Sequence, residues 1–244
     1  MFPRIETVPF LTTEQMIAVD RAMVEDLHID LIQMLENAGR NLVHLARVRF
    51  LDGAPAGKYV VVLAGRGGNG GGAMVCARRL HTWAARVHVV LATGSDALAP
   101  ATARQRDILE RMGVLVDPAS AVRDVRDVIL IVDGIIGYRL AGAPRGAAAE
   151  AIEWANAQAV PVLALDVPSG LDATSGAVLS PAIWATATMT LALPKAGLRA
   201  PGAAEHVGEL YLADIGVPPG LYAQLLAVPV SPSLFARDEI VRVR

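Results

Sequence analysis

Apolar and polar positions along this chain follow one rhythm up to about residue 50 and another beyond it. Met16, Val19, Met23 and Leu27 recur at helical spacing, and so do Leu31, Met34, Leu35, Ala38, Leu42 and Leu45. Thr12 with Gln15 three residues later fits a capping box. Two helices are therefore predicted over about residues 12–50. From Lys58 onward the pattern becomes short, unbroken apolar runs at 59–64, 87–92, 128–132, 162–165, 188–193 and 209–213, with a weaker one at 114–116. Helical stretches fall between them, near 73–83, 98–112 and 146–158. Apolar runs without alternation mark strands covered on both faces, which means a mostly parallel sheet. Strand–helix alternation at this spacing predicts a doubly wound α/β fold. One domain is expected over 1–244: helices at 12–50, an α/β body at 58–215, and a Pro-rich tail at 216–244 that wraps the surface.

Composition narrows the function classes. Of 244 residues, 53% are hydrophobic and 19% charged, so a compact core is expected and disorder is excluded. A formal net charge of −2 gives no electrostatic footprint for nucleic acid or an anionic membrane. Trp83, Trp154 and Trp184 lack the basic interleaving of a nucleic-acid platform. The single Cys76 excludes an internal disulfide and a cysteine-based zinc site. No apolar run reaches membrane-spanning length, because Asp133 interrupts the strongest and Pro194 with Lys195 ends another. The N-terminus lacks the apolar stretch of a signal peptide. A cytoplasmic protein is expected.

In a doubly wound sheet, ligands bind outside the carboxyl ends of the strands. The first strand is followed by Gly65-Arg66-Gly67-Gly68-Asn69-Gly70-Gly71-Gly72, the second by Thr93-Gly94-Ser95, and the next long run by Asp133-Gly134 with Gly137. After 162–165 comes Asp166-Val167-Pro168-Ser169-Gly170-Leu171-Asp172, and after 188–193 comes Pro194-Lys195. Gly65, Gly67 and Gly70 match G-x-G-x-x-G between a strand and a helix, which lets backbone N–H groups approach an anion. A tight turn without ligand is the alternative, but six Gly in the eight residues 65–72 give more conformational freedom than a turn needs. An ordinary dinucleotide fingerprint also needs an acid closing the second strand, and the nearest one here is Asp96. No lysine follows the glycines, so the P-loop pattern fails. Val167-Pro168-Ser169-Gly170-Leu171 is not a G-x-S-x-G elbow, and the five histidines show no zinc spacing. Asp133 requires solvent, a hydrogen-bond partner or a cation, because burying it alone is costly. It also suits a turn cap, as Asp166 and Ser169 suit Asx- and Ser-type turns.

Taken in order, LTTEQMIAVDRAM, LIQMLENAGR, GRGGNGGG with MVCARRL, VDGIIG, LALDVPSGLDATSG, LALPKAGL and LADIGVP resemble the NAD(P)H-hydrate epimerase family, also called the YjeF N-terminal domain. The resemblance runs from about residue 11 to 222. It implies a Rossmann-like three-layer α/β/α sandwich that interconverts the R and S forms of hydrated NADH and NADPH, with bound K+ and a homodimer. By matching position it implies substrate contacts at Gly68, Asn69, Gly70, Gly71 and Gly72, at Gly137, Tyr138, Arg139, Leu140, Ala141, Gly142 and Ala143, and at Asp166. It implies potassium ligands at Asn69, Asp133 and Ser169. Asp166 is the expected catalytic acid–base, with Lys195 either orienting it or packing the strand end. The family loop reads G-x-G-N-N-G-G-D-G, so Gly68 stands where an Asn is usual and Gly72 where an Asp is usual. These two positions keep an alternative open: a non-catalytic nucleotide-binding protein retaining the pocket. The dehydratase that many relatives carry on the same chain is expected as a separate protein.

Overall fold

The computed structural model describes residues 2–94 and 97–243. Two helices lead, α1 (Thr13–Glu25) and α2 (Leu31–Arg49), followed by β1 (Tyr59–Ala64), α3 (Gly68–Thr82), β2 (Arg86–Leu91), α4 (Pro100–Arg111) and β3 (Leu115–Pro118). The chain continues through β4 (Leu130–Gly134), α5 (Ala147–Asn156), β5 (Val162–Leu165), β6 (Ala187–Leu191), α6 (Ala204–Val207), β7 (Glu209–Ala213), α7 (Pro219–Leu226) and β8 (Ile240–Arg242). The eight strands form one sheet in the order β3-β2-β1-β4-β5-β6-β7-β8. Seven run parallel, and β8 joins the edge antiparallel to β7.

Both sheet faces are covered. Val60 and Val62 of β1 enter a cluster with Leu42 and Leu45 of α2 and Met74 and Leu80 of α3. Val61 and Leu63 point the other way, into a cluster with Ile152 and Ala155 of α5. That alternation between two buried faces is why the runs read as unbroken apolar stretches. Thr12 caps α1 with the expected reciprocal pair: its hydroxyl accepts from Gln15 N at 3.2 Å, and Gln15 Oε1 accepts from Thr12 N at 2.9 Å. A third cluster joins α1 to α7 through Met16, Val19, Met23, Leu221 and Tyr222. The C-terminal end of α2 is tied to β7, where Arg49 makes paired hydrogen bonds of 3.0 and 2.9 Å to Glu209. Arg49 pulls the Glu209 carboxyl down to about 2.

Several boundaries differ from the sequence expectation. α3 begins at Gly68 rather than 73, so the glycines form its first turn, and β4 extends through Asp133 and Gly134. The tail does more than wrap the surface: it supplies α7 and the edge strand β8. His88 is buried in β2, with Nε2 3.2 Å from Asp117 Oδ2. Ser95 and Asp96 lie outside the described residues.

Registers level the strand ends on one rim. Ala64 lies opposite Leu91 and Gly134, Asp133 opposite Ala164, and Leu165 opposite Met189. Strand order reverses between β1 and β4, which is where such sheets open a crevice. The segment before α1 also reaches this rim, since Leu11 N donates to Pro194 O at 2.8 Å and Ala196 N to Leu11 O at 2.7 Å.

Candidate functional site

The crevice holds a cleft of 1020 Å³, large enough for a nucleotide-sized ligand. Its floor comes from the strand ends, through Arg66 to Asn69, the 135–145 segment, Asp166 and Lys195. One wall is apolar and comes from α1 and α2, through Met16, Val24, Leu31, Met34 and Leu35.

Asp166 is the first residue beyond β5. It is buried, and its φ of +68° is a left-handed conformation that Asp and Asn adopt more readily than most residues. Its amide donates to Met189 O at 2.7 Å. Three donors converge on Oδ1: the Lys195 ammonium, the Thr190 hydroxyl at 3.3 Å and the Leu191 amide at 3.3 Å. Oδ2 is turned towards Gly137, where an added Cβ would stand 3.4 Å from it. Lys195 is buried as well and also donates to Leu191 O at 2.9 Å. This is a fixed ion pair with one carboxylate oxygen left for the cleft.

Asn69, in the first turn of α3, donates its side-chain amide to Leu165 O at 3.0 Å. An added Cβ at Gly137 would lie 3.1 Å from Asn69 Oδ1. Gly137 therefore lets the 137–143 loop pass between Asn69 and Asp166.

Asp133 and Ser169 form a separate, deeper unit. Ser169 Oγ and N donate to Asp133 at 2.6 and 2.8 Å, and Ile135 N donates at 3.1 Å. Ile136 N donates in turn to Ser169 Oγ at 2.8 Å. Burial pushes the Asp133 carboxyl up to about 6, against the pull of those donors. No basic side chain pairs with it among the described residues. The ligands that Asp133, Ser169 and Asn69 could offer are all oxygens, and a buried carboxylate without a cationic partner among them suits a hard monovalent ion better than zinc. Asn69 faces the cleft and Asp133 with Ser169 lies beneath it, so the three expected ligands occupy two adjoining layers.

Most of the expected substrate contacts line the cleft: Gly68, Asn69, Gly72, all of 137–143, and Asp166. Gly70 and Gly71 are buried and pack instead. A Cβ at Gly70 would lie 2.0 Å from Gly65 O, and one at Gly71 would lie 2.8 Å from Leu35 Cδ1. Asp172 is a turn residue, accepting from Thr174 N and Ser175 N.

Asp20 of α1 escaped the sequence reading. It lines the cleft and accepts a hydrogen bond from the Tyr138 hydroxyl. Arg139 Nε donates to that hydroxyl at 3.0 Å. The available signal was an acid one residue after Val19 and three before Met23, on the buried face of α1.

Together these features define a Rossmann-like α/β domain with a nucleotide-sized crevice at its topological switch point. A family model described as YjeF-related protein N-terminus matches residues 31–197, and the chain belongs to that family. It is 41% identical over 215 residues to a Dehalogenimonas lykanthroporepellens protein named NAD(P)H-hydrate epimerase, covering 88% of this chain and 84% of that one. It is 36% identical over 225 residues to the Salinibacter ruber bifunctional NAD(P)H-hydrate repair enzyme Nnr, of whose length it spans 41%. The crystal structure of yeast ynu0, YNL200c, shares the fold at 21% identity, with a TM-score of 0.79 over 97% of this chain and 100% of that one.

Proposed function

We propose that this chain is an NAD(P)H-hydrate epimerase, an isomerase that interconverts the R and S forms of hydrated NADH and NADPH. The observation that carries the reading is the Asp166–Lys195 pair on the cleft floor, in a chain closely related to a named epimerase.

The hydrate bears a hydroxyl on the carbon beside the ring nitrogen. Inversion there can proceed by loss of water and its re-addition to the other face. Asp166 supplies a carboxyl for proton transfer. Lys195, Thr190 and Leu191 hold its Oδ1, so Oδ2 meets the substrate in one orientation. The apolar wall from α1 and α2 shields the ring from bulk water, and the exposed Arg66 and Arg139 at the cleft are suited to fork onto phosphates.

Potassium belongs to the same proposal, held by Asp133, Ser169 and Asn69. When bound it would supply positive charge that stabilises the buried carboxylate and the two loops joined to it. A homodimer, a cytoplasmic setting and a separate dehydratase acting on the product complete the reading.

The test is an epimerase assay on purified protein. It starts from the R form of hydrated NADPH, is coupled to an S-specific dehydratase, and includes Asp166→Asn as control. Conversion well above the spontaneous rate and lost in the control is expected. Binding of the hydrate without conversion would overturn the reading in favour of a non-catalytic nucleotide-binding protein.

A further inference from the structure

A single carboxylate held as Asp166 is held can serve only one face of the reacting carbon. Its Oδ1 is committed to three donors, and its backbone is fixed by the Met189 carbonyl. Inversion through loss and re-addition of water needs proton transfer on both faces. One face must protonate the departing hydroxyl, and the other must deprotonate the entering water.

A second titratable pair stands in the same cleft. The Tyr138 hydroxyl donates to Asp20 Oδ2, and Arg139 Nε donates to that hydroxyl at 3.0 Å. Tyr138 is also held through its backbone, whose carbonyl accepts from Thr13 Oγ1 at 3.3 Å. Lys195 stands beside both pairs: its ammonium binds Asp166 and lies 5.7 Å from the centre of the Tyr138 ring. Asp20 and Asp166 thus sit in one cleft, each joined to a different second group.

We propose that Asp20 and Tyr138 form the second proton-transfer pair of this cleft, serving the face of the substrate opposite to Asp166. The proposal rests on the epimerase reading above. In one direction the C–O bond breaks while the ring nitrogen's lone pair forms a C=N bond. The departing oxygen takes the Tyr138 hydroxyl proton and leaves as water, and Tyr138 is reprotonated by Asp20. A second water then adds to the opposite face, the C=N electron pair returns to nitrogen, and the water's proton passes to Asp166. The reverse reaction exchanges the roles, and solvent resets both carboxyls. Two carboxyls in contrasting surroundings are how one site divides acid from base. Burial of Asp20 supports the acid role by raising its pKa from the usual range, and the charge of Asp166 adds to this. The Tyr138 hydrogen bond, Lys195 and Arg139 pull it back. Tyr222 of α7 is a further titratable group near it.

The test compares the wild type, Asp166→Asn, Tyr138→Phe and Asp20→Asn on the R form of hydrated NADPH, reading kcat, KM and the pH profile separately. Tyr138→Phe keeps the ring beside Lys195 and removes only the hydroxyl. Both Tyr138→Phe and Asp20→Asn are expected to lower kcat by about 10²–10³ with KM within about threefold, in line with the loss of a general acid–base. Asp20→Asn should also lose the alkaline limb of the wild-type profile, a change that a merely structural role would not produce. An active wild type whose Tyr138→Phe variant keeps kcat within threefold overturns the proposal, and this holds even where Asp20→Asn fails to fold. A wild type that does not convert the hydrate at all sinks the epimerase reading instead.

Discussion

Lys195 and Asp166, 29 residues apart in sequence, meet as a buried ion pair at the carboxyl ends of neighbouring strands. Removing one partner would leave the other charged and unpaired in the interior. Lys195→Met should therefore destabilise the fold by about 3–5 kcal/mol. Lys195→Met with Asp166→Asn should recover part of that loss, because the stranded charge is gone. Urea denaturation of the single and double variants checks this, and equal stabilities would contradict it.

Gly137→Ala should harm activity more than stability. The new methyl would press on Asn69 Oδ1 at 3.1 Å and Asp166 Oδ2 at 3.4 Å, while the backbone at 137 needs no glycine-only conformation. A shift of the loop away from both groups is expected to lower kcat/KM by about 10²-fold, since misplacement of about an ångström has that cost. Steady-state kinetics beside thermal melting separates the two effects.

Gly68→Asn should be accommodated, because among the described residues only Leu35 Cδ2, at 3.8 Å, lies near an added Cβ. The amide would enter the cleft. One restored polar contact of about 1.5–3 kcal/mol should tighten hydrate binding roughly tenfold to a hundredfold. Calorimetric titration of the hydrate into both proteins measures it.

Exchanging K+ for tetramethylammonium should lower the melting temperature of the wild type. Asp133→Asn should respond little to the exchange, because the buried negative charge that favours the cation is gone. A variant as K+-sensitive as the wild type would remove Asp133 from the ion's site.

Glu209 should contribute to acid stability. Its carboxyl is depressed to about 2 by Arg49, below its usual 4.5. A depressed carboxyl adds stability above its unfolded value and loses it as pH falls from about 4.5 towards 2. Because the pair is solvent-exposed in part, Glu209→Gln should cost less than about 1 kcal/mol at neutral pH. The same change should flatten the decline below pH 4.5, as denaturation at a series of pH values would register.

The doubly wound sheet was legible because a strand buried on both faces must be apolar along its run, as β1 and β5 are. The start of α3 was not. Glycine disfavours helices, yet Gly70 and Gly71 are in one because their lack of side chains admits Gly65 and Leu35. β8 is only three residues long and exists through pairing with β7, which no local pattern announces. The strand-end chemistry of Asp166 could be read from its position after an apolar run. Asp20 could not be assigned in the same way, because its partner Tyr138 lies 118 residues away on another element.

The short bridge at Leu11 couples the helical lead to the sheet. Leu11 is hydrogen-bonded to Pro194 and Ala196, on either side of Lys195, and α1 begins two residues later. The helix carrying Asp20 and the turn carrying Lys195 are thereby splinted together, and neither can swing outward without unzipping those two bonds. A chain trimmed to start at α2 would retain every strand of the sheet while losing the α1 half of the crevice's apolar wall and the brace behind its buried lysine.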